Sequence, residues 1–438
     1  MKPSISELWY YISVGAGLAL ATISFTMLSG MFELLNGWSV IFSIILAGLF
    51  CTLISLSVAE LASMYPSSPG IRTYLKSAFG NQISLWIMYL YLFFIILIAG
   101  VESYIFALVV NYIAPNIPET LIVLSLLISI ILINIYGIEL SKKFQMLTTG
   151  ILLSFIFIFG LIGIYNFDLS FFYSSLLETP FDQLALIPAG IGMAIFLFVG
   201  FEWVTPLGAS PHSYKKLIPL SMPLAIGINT IVYCVFVFGL FSNLSITDIT
   251  HNSIPQMNYA NTILGNLGLY LAFSMSILAI LSTFNSGVLG GSRLVYILAR
   301  EGNLPKYCAK ISIKTGTPVG SILFLGGLGT ASACIVLTFQ LEILSAVIGS
   351  AIICLVYMSL MIANIILRKK QTKIKRSFSS PVPTFLQWTT ISILPVFGIG
   401  ALFAYPQMKQ QATISLLVFI LLSYILAKKY NTTQQHNS

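Results

Sequence analysis

Charged residues are scarce in this sequence of 438 residues: they make up 8% of the chain, whereas 57% of its residues are hydrophobic. Soluble domains carry about 25% charged residues and bury their apolar side chains in a core of limited size. A chain with this composition could not hide its apolar surface from water. The sequence therefore predicts a membrane protein.

Residues that build catalytic and metal centres are also few. The three histidines, His212, His251 and His436, lie far apart in the sequence, and the five cysteines lack the spacing of metal ligands. The sequence contains no HExxH motif and no phosphate-binding loop. We therefore predict no catalytic residue, no metal and no cofactor. An intramembrane enzyme would need a nucleophile and a base at membrane depth, so the sequence argues against an enzyme.

Twelve apolar runs of about 20 residues are long enough to cross a bilayer as helices. We place them at residues 10–35, 38–60, 83–113, 120–137, 145–165, 185–209, 217–242, 262–290, 318–338, 342–367, 385–405 and 412–428. The fold class predicted from these runs is an all-α polytopic membrane protein. No loop between them is long enough to form a soluble domain, so residues 1–438 are expected to form a single transmembrane domain.

The basic residues are distributed unevenly between the two ends of these runs. All of them except Lys409 lie at the termini or after runs 2, 4, 6, 8 and 10. The positive-inside rule therefore places these loops and both termini in the cytoplasm. We expect a multi-pass protein of the plasma (inner) membrane of a prokaryotic cell, surrounded by the lipid bilayer. The net charge of +8 then reflects topology, so no nucleic-acid partner is expected.

Two of the runs combine glycine with an acidic residue. Run 6 contains Gly200 and Glu202 near its midpoint, and run 1 contains Ser29, Gly30 and Glu33. A carboxylate within the membrane costs roughly 3 kcal/mol or more to insert, and glycine weakens a helix. Because run 1 leads outward and run 6 inward in the predicted topology, the two interruptions are related as in an inverted repeat. Paired interrupted helices indicate a binding site near the middle of the membrane.

Four stretches of the chain resemble motifs of one transporter superfamily. They are Val58–Pro66 with Tyr74–Gly80, Phe196–Glu202 with Ile218 and Pro219 downstream, Ser292–Tyr296 with Ala299–Pro305 and Lys314–Pro318, and a partial match at Leu28–Gly30. On these residues the chain resembles the amino acid, polyamine and organocation (APC) transporter superfamily along most of its length.

The resemblance implies a fold of two inverted repeats of five helices, at residues 10–165 and 185–367, followed by two further helices at 385–428. It also implies a secondary transporter that moves amino acids or related amines by alternating access, as a proton-coupled symporter or an exchanger. The alternatives that stay open are a polyamine or organocation transporter and a nutrient sensor of the same fold that moves nothing.

The resemblance also implies where the solute binds, namely between the broken helices 1 and 6. Similar transporters use a glycine-serine-glycine motif in helix 1, and this chain has Leu28-Ser29-Gly30 at the position that we align with it. The residues expected to bind the substrate are Thr26, Ser29, Gly30, Phe196, Val199 and Gly200.

Four charged residues are expected to gate the pathway or couple it to protons. Glu202 matches the family's helix 6 glutamate, Glu60 is expected to pair with Arg293 or another basic group at the cytoplasmic end, and Glu102 matches no family motif. Each of these glutamates could instead form a purely structural hydrogen bond or ion pair.

Hydroxyl groups on run 8 form a possible cation site, at Ser282, Thr283 and Ser286, although such residues also bridge helices through backbone bonds. Some family members place a lysine of helix 5 where others bind sodium, and Leu152 takes that position here. We favour the proton over sodium as the coupling ion.

Overall fold

The computed structural model describes residues 5–66, 70–136, 138–167, 183–208 and 212–436. Within these ranges the chain is helical and contains no strand. The α-helices are α1 (Ile5–Ala19), α2 (Thr22–Leu34), α3 (Gly37–Met64), α4 (Ile71–Phe79), α5 (Asn81–Ile113), α6 (Glu119–Ile135), α7 (Ile138–Tyr165), α8 (Ile187–Ile195), α9 (Ile218–Phe241), α10 (Ile246–Thr250), α11 (Pro255–Arg300), α12 (Val319–Phe339), α13 (Glu342–Lys370), α14 (Thr384–Phe403) and α15 (Lys409–His436).

The predicted apolar runs correspond to these helices. Among the described residues, ten helical segments are long and apolar enough to cross a membrane, and α1 with α2 forms an eleventh span that is bent by 50°. The remaining run is α6, an apolar helix of 17 residues. The all-α polytopic fold is therefore confirmed.

The end of run 8 was predicted too early. The helix α11 continues to Arg300, well beyond the predicted end at residue 290, so Arg293 lies on a helix and not in a loop. Towards its other end, Gly265 adopts non-helical angles, with φ 60° and ψ −146°, and bends the helix. A basic side chain at the end of a span can reach the membrane surface, so its charge did not mark the end of the helix.

The break in the first span also lies elsewhere than predicted. The helix ends at Ala19 and restarts at Thr22, whereas Ser29 and Gly30 lie inside α2. A Cβ added to Gly30 would come within 1.9 Å of the Tyr405 hydroxyl, so this glycine permits close packing against the segment that follows α14. The predicted break at Leu28–Gly30 is therefore wrong, because that glycine serves close packing within a continuous helix.

The break in the sixth span lies where it was predicted. The helix α8 ends at Ile195, a 3₁₀ turn covers Phe196–Phe198, and Val199 is extended. Gly200 then has φ 124°, which side-chain-bearing residues rarely adopt, and a second 3₁₀ segment covers Phe201–Leu207. Glycine at this position thus allows the chain to leave and re-enter a helix within the membrane.

The helices around the two breaks form the centre of the bundle. The helix α1 packs against α7, α9 and α11, and it also contacts the 3₁₀ segment Phe201–Leu207. The long helix α5 packs against α11, α12 and α13. Because α5 and α11 both pass the breaks, their side chains can reach the backbone groups that the interrupted helices leave free.

Gly200→Ala is expected to destabilise the protein. The new Cβ would lie 2.6 Å from Leu18 Cβ, and the backbone would keep a strained positive φ, so we expect a loss of about 1–3 kcal/mol. The measurement is the melting temperature of the detergent-purified protein. Gly227→Ala is the matched control, because nothing lies within 4 Å of a Cβ built there. An unchanged melting temperature for Gly200→Ala would show that the break tolerates a side chain.

Candidate solute-binding site

A cavity of about 70 Å³ lies where the two helix breaks meet. Leu18 and Ala21 line it from the first break, and Phe196, Val199 and Trp203 line it from the second. The other lining residues are Phe94, Ile95, Ile98, Ala99, Glu102, Leu127, Ile130, Ile131, Thr283, Phe284, Gly287, Val288, Leu325, Gly326 and Gly329.

The cavity wall is apolar except at three side chains. Glu102 is the one charged residue among those that line it, Thr283 contributes a hydroxyl group, and Trp203 contributes an indole. Ligand sites in proteins commonly combine an apolar wall with a few polar groups that set the orientation of the ligand. This wall suits a small solute with an apolar body and one or two polar groups.

Glu102 lies on α5 and caps the start of α2, directly after the first break. Its carboxylate accepts hydrogen bonds from the Ile23 amide, at 2.9 Å, and from the Thr22 hydroxyl, at 2.5 Å. The first residue before α2, Ala21, has extended angles and no capping side chain of its own. The first amides of a helix have no partner within the helix. A carboxylate from another helix therefore supplies the missing acceptor.

Glu202 plays the corresponding part at the second break. One carboxylate oxygen accepts from Tyr91 and from the Trp203 indole, and the other accepts from the Gly200 amide and from Tyr357, at 3.1 and 2.9 Å. A carboxylate has about four acceptor positions, and these four donors match them. Glu202 is fully buried. It thus ties the broken segment to α5 and α13.

Trp203 lies between this cavity, called the main cavity below because the two helix breaks meet there, and a second, smaller one, since the residue lines both. Its ring lies against Gly290 on α11, where an added Cβ would come within 1.8 Å of the indole. The second cavity is also lined by Arg72, Glu202 and Arg293. A thin aromatic wall therefore divides the two spaces.

Arg293 does not pair with Glu60. Glu60 accepts hydrogen bonds from the Arg368 guanidinium and from the Ser380 amide, and Arg376 approaches it to 3.3 Å. Arg293 instead keeps one buried nitrogen, Nη1, without an acceptor. The partner of Glu60 is thus another basic group, on α13 and the segment after it, and the pairing with Arg293 is wrong. The sequence did not predict this ion pair, because more than 300 residues separate Glu60 from Arg368.

The hydroxyl groups of α11 lie around an amide nitrogen. Gln145 Nε2 donates to Ser282 Oγ, at 2.9 Å, and to the Ser13 carbonyl, at 3.0 Å. It also donates to Thr149, at 2.8 Å, while Thr283 donates to the Gly17 carbonyl. Ser286 Oγ is buried without a partner. The oxygens expected to bind a cation are therefore only partly together, and the neutral Gln145 amide already donates to one of them, Ser282 Oγ.

Three of the expected substrate residues lie away from the cavity. Thr26 Oγ1 donates to the Ser253 carbonyl, and Ser29 Oγ donates to the Ile249 carbonyl. These bonds attach α2 to the segment around α10, and neither residue lines the cavity. Gly30 packs against Tyr405. The expectation that Thr26, Ser29 and Gly30 line the cavity is thus corrected. Phe196 and Val199 do line it, and Gly200 forms the adjacent break.

A different glycine motif lies next to the first break. Gly15-Ala16-Gly17 ends four residues before Ala21, and a Cβ on Gly17 would come within 2.1 Å of Gln145 Nε2. The glycine-x-glycine spacing was the signal that could have located the break. It was missed because the alignment was anchored on Ser29 and Gly30.

A family profile described as an amino acid permease matches residues 7–427. The chain belongs to this family. Among curated relatives, this permease is 27% identical to the uncharacterized amino acid permease YecA of Bacillus subtilis, over 60% of this chain and 61% of that protein. It is 22% identical to YvbW of the same organism, over 94% of this chain and 93% of the relative.

A third relative has a stated solute. The gamma-aminobutyric acid permease of Bacillus subtilis is 24% identical to this permease, over 96% of this chain and 92% of the relative. The family identifies the protein as a membrane transporter and not an enzyme. The resemblance to the APC superfamily is thereby confirmed.

Transport by this permease is expected not to depend on sodium. Gln145 already donates to Ser282, Thr149 and Ser13, so these oxygens would have to exchange an amide for a cation. The measurement is the initial uptake rate in proteoliposomes with sodium replaced by potassium or choline, and we expect the rates to agree within about twofold. A rate that rises with sodium and loses this dependence in Ser282→Ala would contradict the prediction.

Proposed function

We propose that the protein is a secondary transporter that carries amino acids through the membrane by alternating access. The observation that supports this function best is the cavity at the meeting point of the two helix breaks. Interrupted helices expose backbone N–H and C=O groups that can bind the charged ends of a solute within the membrane. The two repeats at residues 10–165 and 185–367 are the bodies that we propose to move relative to each other.

The charges of the cavity favour a neutral amino acid. Glu102 is the one charged side chain among the lining residues, and it already accepts two hydrogen bonds from α2. A solute with a cationic side chain would need an acidic partner for that charge, and the lining residues offer none besides Glu102. The apolar wall formed by Phe94, Phe196 and Phe284 suits an aliphatic or aromatic side chain. The named relative transports a solute that also carries one amine and one carboxylate.

The inner barrier of the proposed pathway is Trp203. A solute that leaves the main cavity towards Arg293 has to pass this ring, since Trp203 lines both spaces. Beyond it, the ion pairs of Glu60 with Arg368 and of Arg72 with Glu301 hold helices together at the end that we propose to be cytoplasmic. Movement of the segment Phe201–Leu207 would open the pathway at this end. Because Glu202 belongs to that segment, the movement would also change the hydrogen bonds of Glu202.

The proton is the coupling ion that we propose. Both candidate residues, Glu102 and Glu202, are buried. Four donors surround Glu202, which favours a fixed position for that side chain. Glu102 accepts from the Thr22 hydroxyl and the Ile23 amide, both on α2, and it faces the cavity, so it can exchange partners when a solute enters. This geometry favours Glu102 as the residue that takes up the proton.

Purified protein in liposomes is expected to move a neutral amino acid. A panel of labelled amino acids and polyamines, each tested for uptake and for exchange, is the direct measurement. The proposed site binds an amine and a carboxylate together, and polyamines have no carboxylate. We therefore expect the uptake rate of leucine-like solutes to exceed that of polyamines by at least tenfold. Polyamine transport without amino acid transport would favour the organocation alternative, and binding without movement would indicate a sensor.

Trp203→Ala is expected to weaken the inner barrier. Removing the indole joins the two cavities and deletes the donor to Glu202, so solute accumulation should fall by about tenfold while solute binding remains. Trp203→Phe keeps an aromatic ring in the space beside Gly290, so this variant should retain most of the solute accumulation. The measurement compares uphill uptake with equilibrium binding. Equal accumulation by Trp203→Ala and the wild type would place the barrier elsewhere.

A further inference from the structure

The start of α2 already binds a carboxylate, and that carboxylate belongs to the protein. Glu102 reaches it from α5 and accepts from the Ile23 amide and the Thr22 hydroxyl, at 2.9 and 2.5 Å. Helix N-termini attract anions because their amides are free and the helix dipole is positive there. The same residue lines the cavity in which we place the solute. An amino acid entering the cavity would bring a second carboxylate to the same helix end.

We propose that Glu102 is a tethered competitor of the solute carboxylate, and that an amino acid takes its place at the start of α2 only when Glu102 is protonated. This inference rests on the proposed function and concerns how the same site recognises its solute. Two ionised carboxylates at the same helix end repel each other strongly, because little water screens them there. Protonation of one of them removes this repulsion. The proton binds a carboxylate oxygen of Glu102 and leaves when that side chain ionises again, so one proton moves with each solute.

Among the described residues, no basic group interacts with the Glu102 carboxylate. Tyr233 on α9 is the titratable group that lies close enough to interact with it, and the Tyr233 hydroxyl donates to the Ala19 carbonyl, at 2.6 Å. The charged groups on the helices around α5 interact with other residues: Glu119 and Glu342 with Tyr104, Glu33 with Tyr405 and His251, Arg72 with Glu301, and Arg293 with Tyr10 and Tyr214.

The contrast with Glu202 shows why one glutamate can be displaced and the other cannot. Glu202 accepts from four donors in three segments of the chain, and only the Trp203 indole has a second acceptor, the Tyr91 hydroxyl. Removing Glu202 from the second break would therefore leave the Gly200 amide and the hydroxyls of Tyr91 and Tyr357 without this acceptor. Glu102 has two donors, both on α2, and a solute carboxylate could accept from both. Release of Glu102 therefore leaves no donor unpaired when the solute is bound.

The experiment compares an amino acid with an amine that lacks its carboxylate. Leucine and isopentylamine are the probes, and equilibrium binding to the purified protein is measured between pH 5 and pH 8. For the wild type, leucine affinity should fall about tenfold per pH unit once Glu102 is ionised, because one proton is linked to binding. Isopentylamine should respond in the opposite direction, since an ionised Glu102 attracts its ammonium group.

Glu102→Gln should abolish both pH responses. Leucine affinity should become constant within about twofold, and isopentylamine should bind at least tenfold more weakly than to the wild type at pH 8. Thr22→Val removes a donor at the start of α2, so it should weaken leucine binding, but it leaves the charge of Glu102 in place and should therefore keep the pH dependence. Glu102→Asp should keep it as well, which guards against a variant that fails to fold.

Two results would overturn the inference. One is a wild-type pH slope for leucine in Glu102→Gln, and the other is a change of leucine and isopentylamine affinity in the same direction. Either result would leave the proposed transport function intact, because that function is tested by the solute panel on the wild type. Failure of the wild type to move or bind any amino acid would instead contradict the proposed function itself.

Discussion

The structure depends on one requirement, which is that every backbone polar group within the membrane must find a partner. Interrupting two helices creates free amides at the start of α2 and at Gly200, far from water. Glu102 supplies the acceptor at the first position and Glu202 at the second. Both are fully or almost fully buried, so each acts in an environment where an unpaired charge or amide is costly. The breaks and the glutamates therefore stabilise each other.

The two glutamates differ in the number of hydrogen bonds that they accept. This difference assigns a structural role to Glu202 and a functional role to Glu102. The donors to Glu202 come from α5, α13 and its own segment, which connects the second break to the rest of the bundle. The donors to Glu102 come from α2 alone, and its side chain borders the cavity. Glu202 holds one break in a fixed position, whereas Glu102 can exchange its partners at the other. This combination suits a transporter, because its solute has to bind and leave while the fold persists.

Much of the fold could be predicted from the sequence because membrane insertion depends on hydrophobicity summed over about 20 residues. The apolar runs predicted the helices, and the motif around Glu202 predicted the second break at Gly200. The first break was placed at Gly30 because glycine serves both close packing and helix interruption in membranes, and the sequence does not distinguish the two. Only the position of Tyr405 beside Gly30 shows which role applies.

The sequence by itself determined that the chain is a membrane-spanning helical protein, roughly where its spanning helices lie, and which acidic residues lie within them. These properties follow from local composition. The tertiary structure decided which groups those residues bind: Glu102 caps α2, Glu60 binds Arg368 and Arg376, and Gln145 donates to Ser282. Such contacts join helices that are distant in the chain. Helix packing selects them, so local sequence patterns do not encode them.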